Sequence, residues 1–209
     1  MKVVAINGSP HHDGNTAYAL GVMCDALRAE GIEAEILQVG GKIIRGCTAC
    51  GYCWESEGNA CVFKDDVVNE YARAMRAADG IVLGAPTYYA GIPGGMKSFL
   101  DRVFFSSSRY FRHKVGTAVT AVRRAGGVDV VHQLMNYFNL AETVTPPSQY
   151  WTVVYGMDEG EAARDAEGVQ TVRRNARAMA WLLRMIEATK DTIPRPADDE
   201  ERATTNFVR

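Results

Sequence analysis

The chain has 209 residues, 47% of them hydrophobic and 23% charged, with a formal net charge of −2. That size and balance suit one globular domain with a substantial core. They offer no basic surface for nucleic acid or an anionic membrane, and no run reaches the roughly 20 apolar residues of a membrane span.

Residues 2–7 form an apolar run that ends at Gly8-Ser9-Pro10 and predict a buried first strand. Over 16–30, Leu20, Met23, Cys24 and Leu27 recur at helical spacing, with Gly31 as a C-cap. Residues 33–38 alternate as a strand does, and a cysteine-bearing segment follows. A helix over 66–78 would bury Val67, Tyr71 and Met75, with acidic residues suited to its first turn. Residues 80–85 predict a third strand. Pro93 is placed to start a helix over 93–104. Residues 115–122 predict a fourth strand and 127–138 a helix carrying Val131, Leu134, Met135 and Phe138. Short β-prone pieces lie at 142–144 and 152–155. Residues 162–188 predict a long helix striped by Val172, Met179, Leu182, Leu183 and Ile186. The alternation of strands and helices calls for a parallel α/β sheet with helices on both faces. One domain spans 1–193, with a cysteine loop (46–62) inserted after the second strand. The tail, 194–209, is charged and aperiodic, either mobile or packed on a neighbouring subunit.

Between the first strand and first helix lies Gly8-Ser9-Pro10-His11-His12-Asp13-Gly14-Asn15-Thr16. Small hydroxyl and amide side chains just before a helix N-terminus make an anion site, because free N–H groups and the dipole's positive end point there. The segment lacks both GxGxxG and GK[ST], so a monophosphate fits better than a dinucleotide or triphosphate. A plain connecting loop capped by Asn15 or Thr16 is the competing reading.

Four of the five cysteines, Cys47, Cys50, Cys53 and Cys61, fall within fifteen residues. The opening spacing is that of bacterial ferredoxin ligand runs, which favours a [4Fe–4S] cluster. A four-cysteine zinc site and a loop of unused or redox-labile thiols are the alternatives. The N-terminus lacks a cleavage-site pattern, so the expected location is cytoplasmic, where thiols stay reduced and serve as ligands more readily than as disulfides. Cys24 belongs to the core face of its helix.

The ordered motifs GSP…GNT and Ala85-Pro86-Thr87-Tyr88-Tyr89…Met96-Lys97-Ser98-Phe99-Leu100-Asp101-Arg102 resemble the FMN loops of flavodoxin-like NAD(P)H-dependent FMN reductases. With the compact cysteine run, the resemblance narrows to the iron–sulfur flavoprotein branch and covers roughly 2–130. It implies a doubly wound, five-stranded sheet of order 2-1-3-4-5, with FMN where the winding reverses; flavodoxin itself is a standard example of that rule. It places Ser9, His11, Asn15 and Thr16 at the phosphate, and Pro86, Thr87, Tyr88 and Tyr89 along the ribityl chain and ring. Arg123, Arg124, Gly126 and Gly127 would lie near the ring's polar edge. The His11-His12 pair departs from related loops, which commonly carry Arg or Lys there. The resemblance further implies a homodimer or homotetramer and NAD(P)H as a transient donor over the flavin. A cluster-free flavin or quinone reductase and a non-enzymatic electron carrier are the rival functions. Lys97 and Asp101, at i,i+4, read as a local ion pair, and His113 and His132 as structural.

Overall fold

The computed structural model describes residues 1–197, 199–201 and 203–205. Strand β1 (Lys2–Asn7) is apolar without alternation because both its faces are covered; Val3, Val4, Ala5 and Ile6 are fully buried. It pairs in parallel with β2 (Glu33–Gln38) on one side and β3 (Gly80–Pro86) on the other. Strands β4 (Val115–Val122) and β5 (Val153–Tyr155) extend the sheet beyond β3, giving the order β2-β1-β3-β4-β5. This is the flavodoxin-like order the resemblance implied. The winding reverses between β1 and β3, and the loops leaving their carboxyl ends diverge there to open a crevice.

Helices α1 (Asn15–Ala29) and α6 (Ala166–Thr189) cover one face, burying Leu20, Met23, Val172 and Met179 against the sheet. The other face carries α3 (Val68–Ala77), α4 (Gly94–Phe111) and α5 (Gly127–Leu140), which contribute Met75, Phe99, Leu134 and Phe138. A one-turn helix, α2 (Tyr52–Glu55), lies in the cysteine loop. Among the described residues no helix is long and apolar enough to cross a membrane.

Several boundaries differ from the sequence reading. Helix α4 continues seven residues past 104: Ser106 and Ser107 are buried beside Arg76 of α3, and Phe111 buries its ring at the helix end, so the buried stripe runs on through two polar positions. Helix α3 starts at Val68, where Asp66 accepts a hydrogen bond from its first amide, 3.1 Å. A 3₁₀ turn, Glu161–Arg164, precedes α6, so that helix starts at Ala166 with Asp165 as its cap. Residues 142–144 form no strand; Val144 makes one isolated bridge to Val115. Of the tail, Ala197, Glu200, Glu201 and Ala203 lie beside Arg109, Arg112 and Leu140, at the carboxyl ends of α4 and α5 of the same chain. Residues 198, 202 and 206–209 lie outside the described residues.

Candidate flavin crevice and cysteine loop

The turn after β1 is held from beneath by side chains at the ends of two strands. Asn7 Oδ1 accepts from the Ser9 amide, 3.0 Å, and Asn7 Nδ2 donates to Gln38 Oε1, 2.7 Å. Gln38 Nε2 in turn donates to the Ser9 carbonyl, 2.6 Å, and to the Gly40 carbonyl, 2.9 Å. The backbones approach closely here: a Cβ on Gly40 would stand 2.1 Å from the Ser9 carbonyl oxygen. The Ser9 hydroxyl accepts from the His11 amide, 3.2 Å, which leaves its proton to donate outward. Helix α1 is capped by Gly14 with no side-chain capping bond, so the first-turn N–H groups of Asn15 and Thr16 remain open to a ligand. Neither Asn15 nor Thr16 is the cap.

Asn15 has another task. Its amide donates to the Asp158 carbonyl, 2.9 Å, and accepts from the Ala162 amide, 3.1 Å. It thereby ties the 156–162 segment against α1, and its backbone amide and the second N–H of Nδ2 remain for a phosphate. Glu161 folds the same segment by accepting from the amides of Met157, 2.8 Å, and Asp158, 3.0 Å. Those bonds hold its carboxyl below the ordinary value of 4.5.

The second loop leaves β3 at Pro86. The Thr87 amide donates to the Ala121 carbonyl, 3.0 Å, while Thr87 Oγ1 is buried with no hydrogen-bond partner. Gly126, in the left-handed region at φ 87°, starts α5 so close that a Cβ would meet Thr87 Cγ2 at 3.0 Å. Tyr88 and Gly91 exchange backbone hydrogen bonds of 2.8 and 2.9 Å across a tight turn. Gln133 of α5 braces that turn by accepting from the Ile92 amide, 3.1 Å.

These loops enclose an open crevice of about 430 Å³ at the switch point. Ser9, His11, Asn15, Thr16, Pro86, Thr87, Tyr88 and Arg123 all line it, with Gly14, Ala121 and Val122. Tyr89 stands fully exposed at the turn tip with φ 49°, and Arg124 is exposed; neither lines the crevice. Gly126 and Gly127 lie behind it, Gly127 packed so tightly that a Cβ would meet Val153 at 2.7 Å. The fourth wall, Gly156 to Glu159, was not anticipated from the sequence. The lining carries Arg123 as its fixed cation and Asp158 and Glu159 as anions, so attraction for a phosphate rests on N–H groups, hydroxyls and the α1 dipole. The orphaned Thr87 hydroxyl and the open α1 amides fit a polar, phosphate-bearing ligand.

The cysteine loop packs on α4. All four thiols line one small cavity together with Trp54, Phe63, Arg102 and Phe105. Cys47 and Cys50 are exposed, Cys53 and Cys61 partly buried. Burial pushes the Cys53 thiol up. Among the described residues no three His, Cys, Asp or Glu side chains converge as a single metal ion would require. The thiols surround a shared space instead, and the donor set fits a group with several metal atoms, each taking its own thiolate.

The loop is fastened by residues that the sequence reading assigned no role. Arg102 is 1% exposed. It forms a two-pronged pair with both oxygens of Asp66, and donates to the carbonyls of Arg45 and Phe63, each at 3.1 Å. Its Nε donates to Cys61 Sγ, 3.2 Å. Asn69 holds the Cys61 amide, 2.8 Å, and carbonyl, 2.9 Å. Arg76 donates to the carbonyls of Gly58, 2.5 Å, and Asn59, 2.7 Å, while Asn59 donates to the Cys53 carbonyl, 2.9 Å. Trp54 leans over the cavity, its indole donating to the Phe105 carbonyl, 3.2 Å. Cys24 is a buried core residue whose thiol burial raises to about 11, and Lys97 pairs with Asp101 at 2.6 Å.

Fold and crevice together define a doubly wound α/β protein whose switch-point crevice suits a phosphate-bearing ligand. The profile of a family described as NADPH-dependent FMN reductase matches residues 1–158. An iron–sulfur flavoprotein of Methanocaldococcus jannaschii is 32% identical over 195 residues, 90% of this chain and 100% of that protein. The iron–sulfur flavoprotein of Methanosarcina thermophila is 28% identical over 198 residues, 91% and 100% of the two chains. Among solved structures, RosB with bound 8-demethyl-8-formylriboflavin-5′-phosphate superposes with a TM-score of 0.73. It shares 17% identity over 100% of this chain and 92% of its own, a likeness of fold. The chain belongs to the NADPH-dependent FMN reductase family, in its iron–sulfur flavoprotein branch, and is an FMN-dependent oxidoreductase.

Proposed function

We propose that the protein transfers electrons between a reduced donor, NAD(P)H or a ferredoxin, and an acceptor, using FMN in the switch-point crevice and a [4Fe–4S] cluster on Cys47, Cys50, Cys53 and Cys61. FMN can take up two electrons as one hydride and release them singly, and a cluster exchanges electrons singly, so the two would join two-electron and one-electron chemistry.

The chain's own residues bind and orient. The amides of Asn15 and Thr16 and the hydroxyls of Ser9 and Thr16 would receive the phosphate, Thr87 Oγ1 would meet a polar atom of the flavin, and Tyr88 would border the ring. Arg123 would favour negative charge at the ring's polar edge. No side chain needs to act as nucleophile or proton shuttle, and NAD(P)H, lacking a binding fingerprint, would dock over the open flavin face.

The observation that carries the cluster half is the shared cavity of four thiols, fastened through Arg102 to the helix that follows the second flavin loop. Iron and sulfide analysis of protein purified without oxygen tests it: about four irons per chain support the cluster, and none would leave a cluster-free reductase. Steady-state NAD(P)H oxidation separates an enzyme from a pure carrier, which would turn over only with a separate reductase. Exposed Trp54, Phe105 and Leu140 support assembly into a homodimer or homotetramer, which light scattering tests. The location that suits reduced thiols is the cytoplasm.

A further inference from the structure

Arg102 is the largest of the fully buried side chains, and it reaches from the middle of α4 into the frame of the cysteine loop. A guanidinium has five N–H donors, and here all are placed: Nη1 to the Arg45 carbonyl and Asp66, Nη2 to the Phe63 carbonyl and Asp66, Nε to Cys61 Sγ. Arg45 precedes the first cysteine of the loop, Phe63 follows the last, and Asp66 leads into α3. One side chain therefore pins both ends of the insertion, and its remaining donor points at a thiol sulfur. A charge this deeply buried is retained only where its partners are complete. Pinning the loop alone would need the carbonyl and carboxylate bonds; the Nε–H to Cys61 is additional.

We infer that Arg102 is a positioning residue for the cluster, holding the cysteine loop in shape before metal arrives and, through Nε–H donated to Cys61 Sγ, raising the cluster's reduction potential. The inference rests on the [4Fe–4S] reading above. Its electrostatics follow from the geometry: a hydrogen bond and a nearby cation draw electron density from the sulfur and stabilise the reduced, more negative state more than the oxidised one. Asp66 offsets part of the charge, but its carboxylate contacts the Nη side of the fork while the Nε edge faces the sulfur.

The test compares the full-length wild type with Arg102→Lys and with the double variant Asp66→Asn/Arg102→Gln, which removes the buried pair without leaving Asp66 unpaired. Retained FMN binding reports folding of each. In iron-free protein, hydrogen exchange should show 45–63 protected in the wild type and markedly less so in the double variant, with the central strands unchanged. After anaerobic reconstitution, both variants should hold less iron per chain. A redox titration followed by electron paramagnetic resonance should place the midpoint of the remaining clusters below that of the wild type. The FMN midpoint, serving as internal reference, should stay fixed. Unchanged exchange over 45–63 overturns the positioning claim, and a wild-type cluster midpoint in both variants overturns the tuning claim. Should the double variant fail to bind FMN, Arg102→Lys decides the matter, since it keeps a cation beside Asp66 and lacks the planar Nε edge. A wild type that takes up no iron would sink the cluster reading itself, and with it the tuning claim; the exchange measurement would still decide the positioning claim.

Discussion

Replacing Thr87 by Val separates the free chain from the flavin-bound one by sign. Thr87 Oγ1 is buried without a partner in the ligand-free chain, and such a hydroxyl costs about 1–3 kcal/mol of lost hydration. Val keeps the branched shape and removes that penalty, so the FMN-free variant should be more stable than the wild type. For a chain of this length each kcal/mol shifts Tm by about 2–4 °C. With FMN bound, the hydroxyl gains a partner, and its loss should weaken binding by a net hydrogen bond, ~0.5–1.5 kcal/mol. That is about a 2- to 12-fold rise in Kd. Thermal melts with and without FMN, together with quenching of flavin fluorescence, read both signs. A variant that melts lower when free, or binds FMN as tightly as the wild type, would refute the assignment of Thr87 to the flavin.

Gly40→Ala would drive a methyl into the Ser9 carbonyl, 2.1 Å from the Cβ position; backbone must move, costing ~1–3 kcal/mol of stability and lowering FMN affinity in the same titration. Asn15→Ala should free the 156–162 wall from α1 by deleting two hydrogen bonds, each worth ~1 kcal/mol, and should show as faster FMN release in stopped flow. Glu161 has a depressed folded pKa, so its contribution is present above its unfolded value and lost as pH falls through the folded one. FMN affinity should accordingly decline on acidification below the carboxylate range, and Glu161→Gln should start weaker and show less of that decline.

The parallel sheet was legible because β1 carries four consecutive apolar residues, Val3 to Ile6, and β4 is small or apolar throughout, without polar-apolar alternation; strands covered on both faces are written that way. The polar turn at 8–16 was legible from residue type, since small polar residues gather where a helix begins. What escaped was set by long-range contact. The wall at 156–159 comes from a segment 143 residues beyond its partner Asn15, and it carries no motif. Helix α4 was read as too short because Ser106 and Ser107, buried beside Arg76, interrupt the apolar stripe before it resumes at Phe111. Arg102 resembles any charged residue on a helix until the inserted loop folds over it. Asn7, Gln38 and Gln133 left no pattern either: each braces a loop through one or two hydrogen bonds whose partners are distant in sequence.

The measurement that bears most directly on the account is the visible spectrum of anaerobically prepared protein, recorded before and after addition of FMN and then NAD(P)H. The account predicts a flavin band shifted on binding and bleached by the nicotinamide, above a broad iron–sulfur absorption. Protein that is colourless once excess FMN has been added and removed by desalting would contradict it.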